Sequence, residues 1–431
     1  MKTLKWNILS ETERAAALAR PRQRIDAALR SSVASIIEEM RVGGWDALCA
    51  VSRRIDGSEP SIVEVREAAA DARRALSTDQ IAAIELAARN VRAFHEASLP
   101  HDVSVETAPG LTVRKVWRAI DRVGIYVPGG KTPLFSSLLM LAIPAQVAGV
   151  GEIVAVTPPR SDGSLDPLIA LAAELCGVGK IWTVGGAQAI AALAIGAGEI
   201  PKVDKICGPG NAWVAEAKRL VAGLPNGPAI DMPAGPSELL IIADDSANPR
   251  IVAADLLSQA EHDAGAQVIL VTSSEALAAK VSEALEEQLA DLPRSDIARA
   301  SLESGRIILV ADLEEAVAIA NFYAPEHLSL AVENAGSLVP AVRNAGAVFA
   351  GQLAAETFGD YIAGSSHVLP TDGAARAWGG VSAYTFLKAM SVQTVSPAAA
   401  RHIAAPAAAL ARMEQLEAHA RAADARLELV R

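Results

Sequence analysis

From residue 152 onward, short β-rich runs alternate with helical ones, and this alternation constrains the fold more than anything else in the chain. EIVAVTPP is followed by PLIALAAELCG, KIWTVGG by AQAIAALAIGAG, and KVDKICGPG by NAWVAEAKRLVAG. Such alternation is the pattern of βαβ units around a parallel sheet. A second series follows: ELLIIADD, a helix running towards His262, QVILVTSS, a charged helix, and GRIILVADL. Two doubly wound, Rossmann-like α/β domains are therefore expected. The strand runs are almost wholly apolar, as parallel strands covered on both faces require. A hydrophobic content of 51% over 431 residues is enough for two or three domains.

The ends read differently. Residues 1–28 suggest a helical arm. Residues 30–100 carry helical patterns (SSVASIIEEMRV, SIVEVREAAADARRAL, IAAIELAARNVRAFHEA), and after residue 382 the chain reads as an Ala-rich helical tail. The expected organisation is a first Rossmann-like domain from 29–128 plus 237–381, a second from 129–236, and a tail from 382–431.

The net charge is −11 without a basic cluster, which argues against nucleic acid as a partner. Cys49, Cys176 and Cys207 are too few and too scattered for a disulfide framework or zinc knuckle. The N-terminus MKTLKWNILSETER has no apolar signal core, and no run of about 18 apolar residues is present. A soluble, cytoplasmic protein with no membrane partner is expected.

Three glycine-rich turns could cradle a cofactor: Tyr126 to Thr132 (YVPGGKT), Val184 to Gln188 (VGGAQ) and Cys207 to Asn211 (CGPGN). A helix N-terminus offers free N–H groups to a phosphate; equally, glycines simply permit tight turns. Neither sharp nucleotide motif is met. A Walker loop needs glycine where Ile125 stands, which weakens an NTPase reading, and Gly208-Pro209-Gly210 has Trp213 in place of the third Rossmann glycine.

Several polar groups could carry chemistry. Gln259 and His262 lie three apart on what reads as a helix, so both point one way. Gln259 shares a face with Val252 and Leu256 and should be at least partly buried, opposite a divalent metal or a backbone carbonyl. Glu326 and His327 follow Pro325 on a loop entering the strand LSLAV; they are an acid–base pair or plain surface. Asp360 and His367 sit in a Gly/Ser-rich loop, where Asx-turn chemistry is the competing account. His419, on a helix reaching from Pro406 past Ala420, points nearly opposite Leu410, with Glu414 off the apolar stripe. In a monomer that side faces solvent, and in a dimer it can reach a partner. His95, His101 and His402 show no ligand spacing.

Taken together, LSQAEHD, NFYAPEHL, GDYIAGSSHVLPT, IYVPGGKTP, VGGAQAIAALA, CGPGN and IDMPAGPSE closely resemble the zinc-dependent histidinol dehydrogenases, in that family's order and spacing from about residue 30 onward. The resemblance implies one Zn²⁺ per subunit, held by Gln259, His262, Asp360 and His419, with His419 supplied by the other subunit of a homodimer. It implies Glu326 and His327 as catalytic groups. Substrate contacts would come from Ser237, His367 and Glu414 together with Gln259, His262, His327, Asp360 and His419. NAD would bind near Tyr126, Gln188 and Asn211. The implied reaction takes L-histidinol through L-histidinal to L-histidine, the last step of histidine biosynthesis; a relative acting on another small alcohol is the alternative. In that chemistry the metal orients substrate nitrogens, His327 takes the hydroxyl proton and Glu326 activates a water. A thiol adduct at Cys207 is the rival route for the second oxidation. Departures from the family pattern fall at Trp213, Asp372 and Trp378-Gly379-Gly380, clear of the implied ligands.

Overall fold

The structure is a computed structural model that describes residues 1–20, 27–129, 133–233 and 235–430. The lysine and threonine of the YVPGGKT turn, with Gly130, lie outside the described residues.

Two six-stranded sheets form the frame. The first contains β2 (Ser61–Glu64), β5 (Arg122–Tyr126), β6 (Glu152–Thr157), β7 (Lys180–Thr183), β8 (Lys205–Cys207) and β9 (Ala229–Ile230), in the order β2-β7-β6-β5-β8-β9. The second contains β1 (Lys2–Lys5), β10 (Glu238–Ala243), β11 (Gln267–Thr272), β12 (Arg306–Leu309), β13 (His327–Ala331) and β14 (Ala347–Ala350), in the order β1-β12-β11-β10-β13-β14. Each has five parallel strands in the doubly wound order, third-second-first-fourth-fifth. Each also borrows one strand from earlier in the chain at the edge beside the third. That added strand is antiparallel in the first sheet and parallel in the second. Strand order reverses between β5 and β8 and between β10 and β13, the switch points where open α/β sheets leave a crevice.

Alternation along each strand sorts the cores. Val123 and Ile125 pack into one layer with Leu138, Leu141, Ile169 and Val91, while Val154 and Val156 face another with Ile190, Leu193, Ile36 and Met40. In the second sheet, Leu239 and Ile241 meet the helices Pro249–Ala260 and Glu275–Leu289, whereas Leu240 and Ile242 meet Leu313–Tyr323 and the N-terminal arm. Each fully buried aliphatic side chain contributes about 1.5–3 kcal/mol.

This layering corrects the expected domain boundaries. Helices Ala27–Ile55, Val65–Ala75 and Thr78–Ala97, together with β2 and β5, cover and extend the first sheet. Residues 29–99 and 122–128 therefore belong with 129–236 and not with 237–381, while 103–119 stand apart in a third sheet. An amphipathic helix records that it covers a sheet, but not which one. The arm is also not purely helical, since β1 joins the second sheet ahead of the helix Glu11–Ala17.

The tail differs too. Leu387–Val395 forms β15, the edge of a third, antiparallel sheet with β4 (Leu111–Ala119) and β3 (Val103–Ala108). Beyond it the chain forms two packed helices, Pro397–Met413 and Glu417–Leu429. Gln415 breaks them with φ of 62°. Leu410 and His419 therefore lie on different helices, and the wheel that set one opposite the other does not apply.

Candidate active site

A crossover helix runs antiparallel to the strands it joins, so its C-terminus returns to their amino edge. This places Gln259, at the end of Pro249–Ala260, beside the first residues of β10 and β13. Glu326 immediately precedes β13 and His327 opens it, paired with Leu239. His262 lies in the turn beyond the helix rather than on it, because the helix ends at Ala260. The negative end of a helix suits a cation.

The carboxyl edge of the first sheet faces this amino edge. Between them is a cavity of about 130 Å³, lined on one side by Gly208, Pro209, Gly210 and Met232. The other side carries Ser237, Gln259, His262, Glu326, His327, Glu356, Asp360 and His367. On the first sheet's side the helices Gly186–Ile195 and Ala212–Ala222 present their N-termini, the polarity an anionic cofactor needs. Gly208 has φ of 128°, and a Cβ there would collide with the carbonyl oxygen of Tyr126. That close approach explains a glycine at the switch point.

His327 is 4% exposed, and its Nδ1 lies 3.2 Å from the carbonyl oxygen of Glu238 and 3.1 Å from Oε1 of Gln259. Two acceptors at Nδ1 put the ring proton there. Nε2 is left with its lone pair directed inward, without a hydrogen-bond partner among the described residues and 3.7 Å from Oδ1 of Asp360. Burial holds the imidazole neutral, with its pKa lowered to about 3. Glu326 accepts a hydrogen bond from the Glu238 N–H at 2.9 Å, and burial raises its carboxyl well above the usual range. Burial also raises Asp360, to about 7.

Glu238 thus serves both neighbours through its backbone. Its own carboxylate is clamped by Arg20 of the N-terminal arm. Nη2 of Arg20 donates at 3.0 Å to Oε2, Nε bonds Oε1, and the guanidinium lies 3.9 Å above the Tyr323 ring.

His367 is fixed at both ring nitrogens, with Nδ1 3.0 Å from the carbonyl of Asp360 and Nε2 3.0 Å from Oγ of Ser137. Asp360 lies on a short helix, Glu356–Tyr361, and not in the expected loop. That helix carries Glu356 on the same face. Glu356, Glu238, Arg20 and Ser137 escaped the sequence reading. Only helical spacing to Asp360 could have signalled Glu356.

The expected cofactor residues lie along the first sheet's carboxyl edge. The Tyr126 hydroxyl accepts from the Gly186 N–H at 3.3 Å. Gln188 is fully buried, with Nε2 donating to Asp56 at 3.0 Å. Both shape the Gly185-Gly186 turn. Asn211 is exposed and caps Ala212–Ala222 by accepting from the N–H groups of Trp213 and Val214. Glu414 and His419 are exposed and line no part of the cavity. Cys207 is wholly buried in β8 with its thiol pushed up by desolvation, and it does not line the cavity. These facts remove the thiol-adduct route. No helix among the described residues is long and apolar enough to cross a membrane.

Fold and site define an α/β enzyme whose acid–base groups and potential metal ligands meet in the cleft between two doubly wound sheets. The family profile described as histidinol dehydrogenase matches residues 18–427. The histidinol dehydrogenase of Xanthomonas campestris pv. campestris is 48% identical over 430 residues, covering 99% of both chains. That of Mannheimia succiniciproducens is 45% identical over 432 residues, covering 100% of both. The crystal structure of histidinol dehydrogenase from Elizabethkingia anophelis superposes with a TM-score of 0.95 at 39% identity, covering 100% of this chain and 98% of that one. The chain belongs to the histidinol dehydrogenase family and is an oxidoreductase acting on an alcohol or aldehyde.

Proposed function

We propose that this chain oxidises L-histidinol through L-histidinal to L-histidine, with two NAD⁺ consumed in turn at one zinc-dependent site. The observation that carries the proposal is Nε2 of His327, without a hydrogen-bond partner among the described residues, on a ring whose Nδ1 faces two carbonyl oxygens and which lines the same cavity as Glu326, His262 and Asp360.

The donor set fits a divalent cation. His262, Asp360 and Gln259 offer an imidazole nitrogen, a carboxylate and an amide, the ligand types zinc accepts. Nε2 of Gln259 is buried without a partner among the described residues, and Oε1, which faces His327, keeps a second lone pair for a cation. When bound, zinc supplies a positive centre for the substrate's amino and imidazole nitrogens, and NAD⁺ supplies the hydride acceptor.

In the first oxidation the alcohol carbon loses a hydride and the hydroxyl loses its proton, which Nε2 of His327 is placed to take. In the second, water adds to the aldehyde and the resulting gem-diol loses a second hydride. Glu326, made a stronger base than a free glutamate by burial, takes the proton of that water. Ser237 and His367 line the same wall and would orient the substrate. The cleft would keep the aldehyde from escaping. NAD⁺ would lie along the first sheet's carboxyl edge near Asn211, on the loops that Tyr126 and Gln188 support.

The active form would be a homodimer in the cytoplasm. Glu414 and His419 sit beside exposed Leu410, Met413 and Leu416, a surface suited to reaching the partner's cleft. The deciding assay is NADH formation from L-histidinol, with and without a chelator. Two NADH per histidinol, abolished by chelation and restored by Zn²⁺, is expected. Activity indifferent to chelation would remove the metal, and no NADH would remove the reaction.

A further inference from the structure

Two buried charges hold the Gly208 peptide from both sides. Its N–H donates to Oδ2 of Asp231 at 2.7 Å, and its carbonyl accepts from Nζ of Lys218 at 2.9 Å. Lys218 and Asp231 also pair with each other, and their side chains are 4% and 1% exposed. Oδ1 of Asp231 accepts in addition from the Met232 N–H at 2.8 Å. Three elements meet here. Gly208 follows β8, where its pairing with β5 and β9 ends. Asp231 directly follows β9 and donates its own N–H to the Ile206 carbonyl at 3.2 Å. Lys218 lies within the helix Ala212–Ala222. Helical side chains lean towards the helix N-terminus, so Lys218 runs back to the loop that opens its helix.

That loop needs a brace. Gly208 and Gly210 flank Pro209, so two of three consecutive residues have the widest backbone freedom. Gly208 takes φ of 128°, and no strand continues through it. Stability alone does not account for the pair, because a buried salt bridge roughly breaks even against apolar residues of similar volume. What the pair does supply is a single conformation for Gly208, Pro209 and Gly210, the first sheet's wall of the cleft.

We propose that Lys218 and Asp231 are positioning residues for the cofactor. By engaging both polar groups of the Gly208 peptide, they keep this wall in its NAD-receiving shape before the cofactor arrives. The inference rests on the reading of the first sheet's carboxyl edge as the NAD side, and it names what preorganises that side. A loop that is competent only part of the time weakens its ligand by that fraction, so a released loop competent about 1–10% of the time raises the apparent Kd about 10–100-fold. Saturating cofactor orders the loop again. The loss therefore falls on KM for NAD⁺ and not on kcat.

The test compares zinc-loaded wild type, Lys218→Met and the double variant Lys218→Met/Asp231→Asn. NADH affinity is read by fluorescence titration, histidinol affinity by calorimetry without cofactor, and folding by melting temperature. Lys218→Met strands the Asp231 charge and should melt roughly 5–10 °C lower. Adding Asp231→Asn removes that charge and keeps an oxygen for one of the two N–H donors, so most of the melting temperature should return. The double variant should still bind NADH about 10–100-fold more weakly, with KM for NAD⁺ raised alike. Its kcat at saturating NAD⁺ and its histidinol affinity should stay within about threefold of wild type. A purely structural pair would move the melting temperature and leave the cofactor constants alone. NADH affinity within about threefold of wild type in the double variant would therefore overturn the proposal. Equal losses of NADH and histidinol affinity, or a double variant that does not fold, would overturn it too, since either marks a general support of the cleft. Wild type that binds histidinol but no NADH would remove the cofactor reading itself, and the role of the pair with it.

Discussion

The backbone N–H of Glu238 donates to Oε2 of Glu326 at 2.9 Å, and the carbonyl of the same residue faces Nδ1 of His327 at 3.2 Å. One peptide position thereby sets the orientation of both side chains proposed to react. Arg20 anchors that position from the N-terminal arm.

Arg20→Ala should therefore reduce kcat by roughly ten- to a hundredfold, since small displacements of reacting groups cost rate steeply. It should also destabilise the fold by about 3–5 kcal/mol, because Glu238 is left buried and unpaired. Adding Glu238→Gln removes that charge and should recover most of the stability without recovering the rate. Urea midpoints and steady-state kinetics on the single and double variants separate the two effects. Full recovery of kcat in the double variant would show that the arm only stabilises.

The two half-reactions should separate by residue. Glu326 is assigned to the water and His327 to the hydroxyl proton. Glu326→Gln should slow histidinal oxidation more than histidinol oxidation, and His327→Asn should slow the first step at least as much as the second. Supplying the alcohol and the aldehyde separately reads both. Equal losses for Glu326→Gln would contradict the water-activating role.

Much of this architecture is legible in the chain, and the parts that are not have physical reasons. Strands such as Leu239–Ala243 read clearly because both faces are buried and the run is continuously apolar. β4 and β15 were hidden: RKVWR and LKAMSVQTV mix charge with β-branched residues on a half-exposed sheet, and their pairing joins segments some 270 residues apart in sequence. Gln259 was legible as buried from its helical face, and Glu326 as preceding a strand from Pro325. Glu356 was not. A lone acid in AAETFGD looks like surface until the segment is known to be helical, and only then does it share a face with Asp360.

Acid should destabilise the protein partly through His95. Its ring is fully buried with neither nitrogen partnered among the described residues, and desolvation lowers its pKa to about 4. The fold holds the neutral form, while the unfolded chain protonates near the ordinary value of about 6.5. His95 therefore imposes no penalty above about pH 6.5. Below that the unfolded state takes up the proton first, and stability falls until about pH 4. His95→Leu should remove this share of the acid sensitivity, about 2 kcal/mol at pH 5. Urea midpoints at pH 5 and pH 8 test it, and an equal drop in wild type and variant would exclude His95 as a source.

The last prediction concerns assembly. His419 is exposed on Glu417–Leu429 and absent from its own chain's cavity, while His262 lines that cavity. If the partner's cleft is where His419 acts, each site of a dimer takes His262 from one subunit and His419 from the other. Dimers uniform in His262→Asn, or uniform in His419→Asn, then contain no complete site and should both be inactive. Unfolding and refolding the two variants together makes about half of the dimers mixed. In a mixed dimer, one cleft pairs the intact His262 of one chain with the intact His419 of the other, and the second cleft lacks both. One site in two, in half of the dimers, amounts to roughly a quarter of wild-type activity. Heterodimer formation is verified independently by a mass tag on one variant. Confirmed heterodimers that remain inactive would mean that His419 serves its own subunit, and the tail would then have to swing back onto its own cleft.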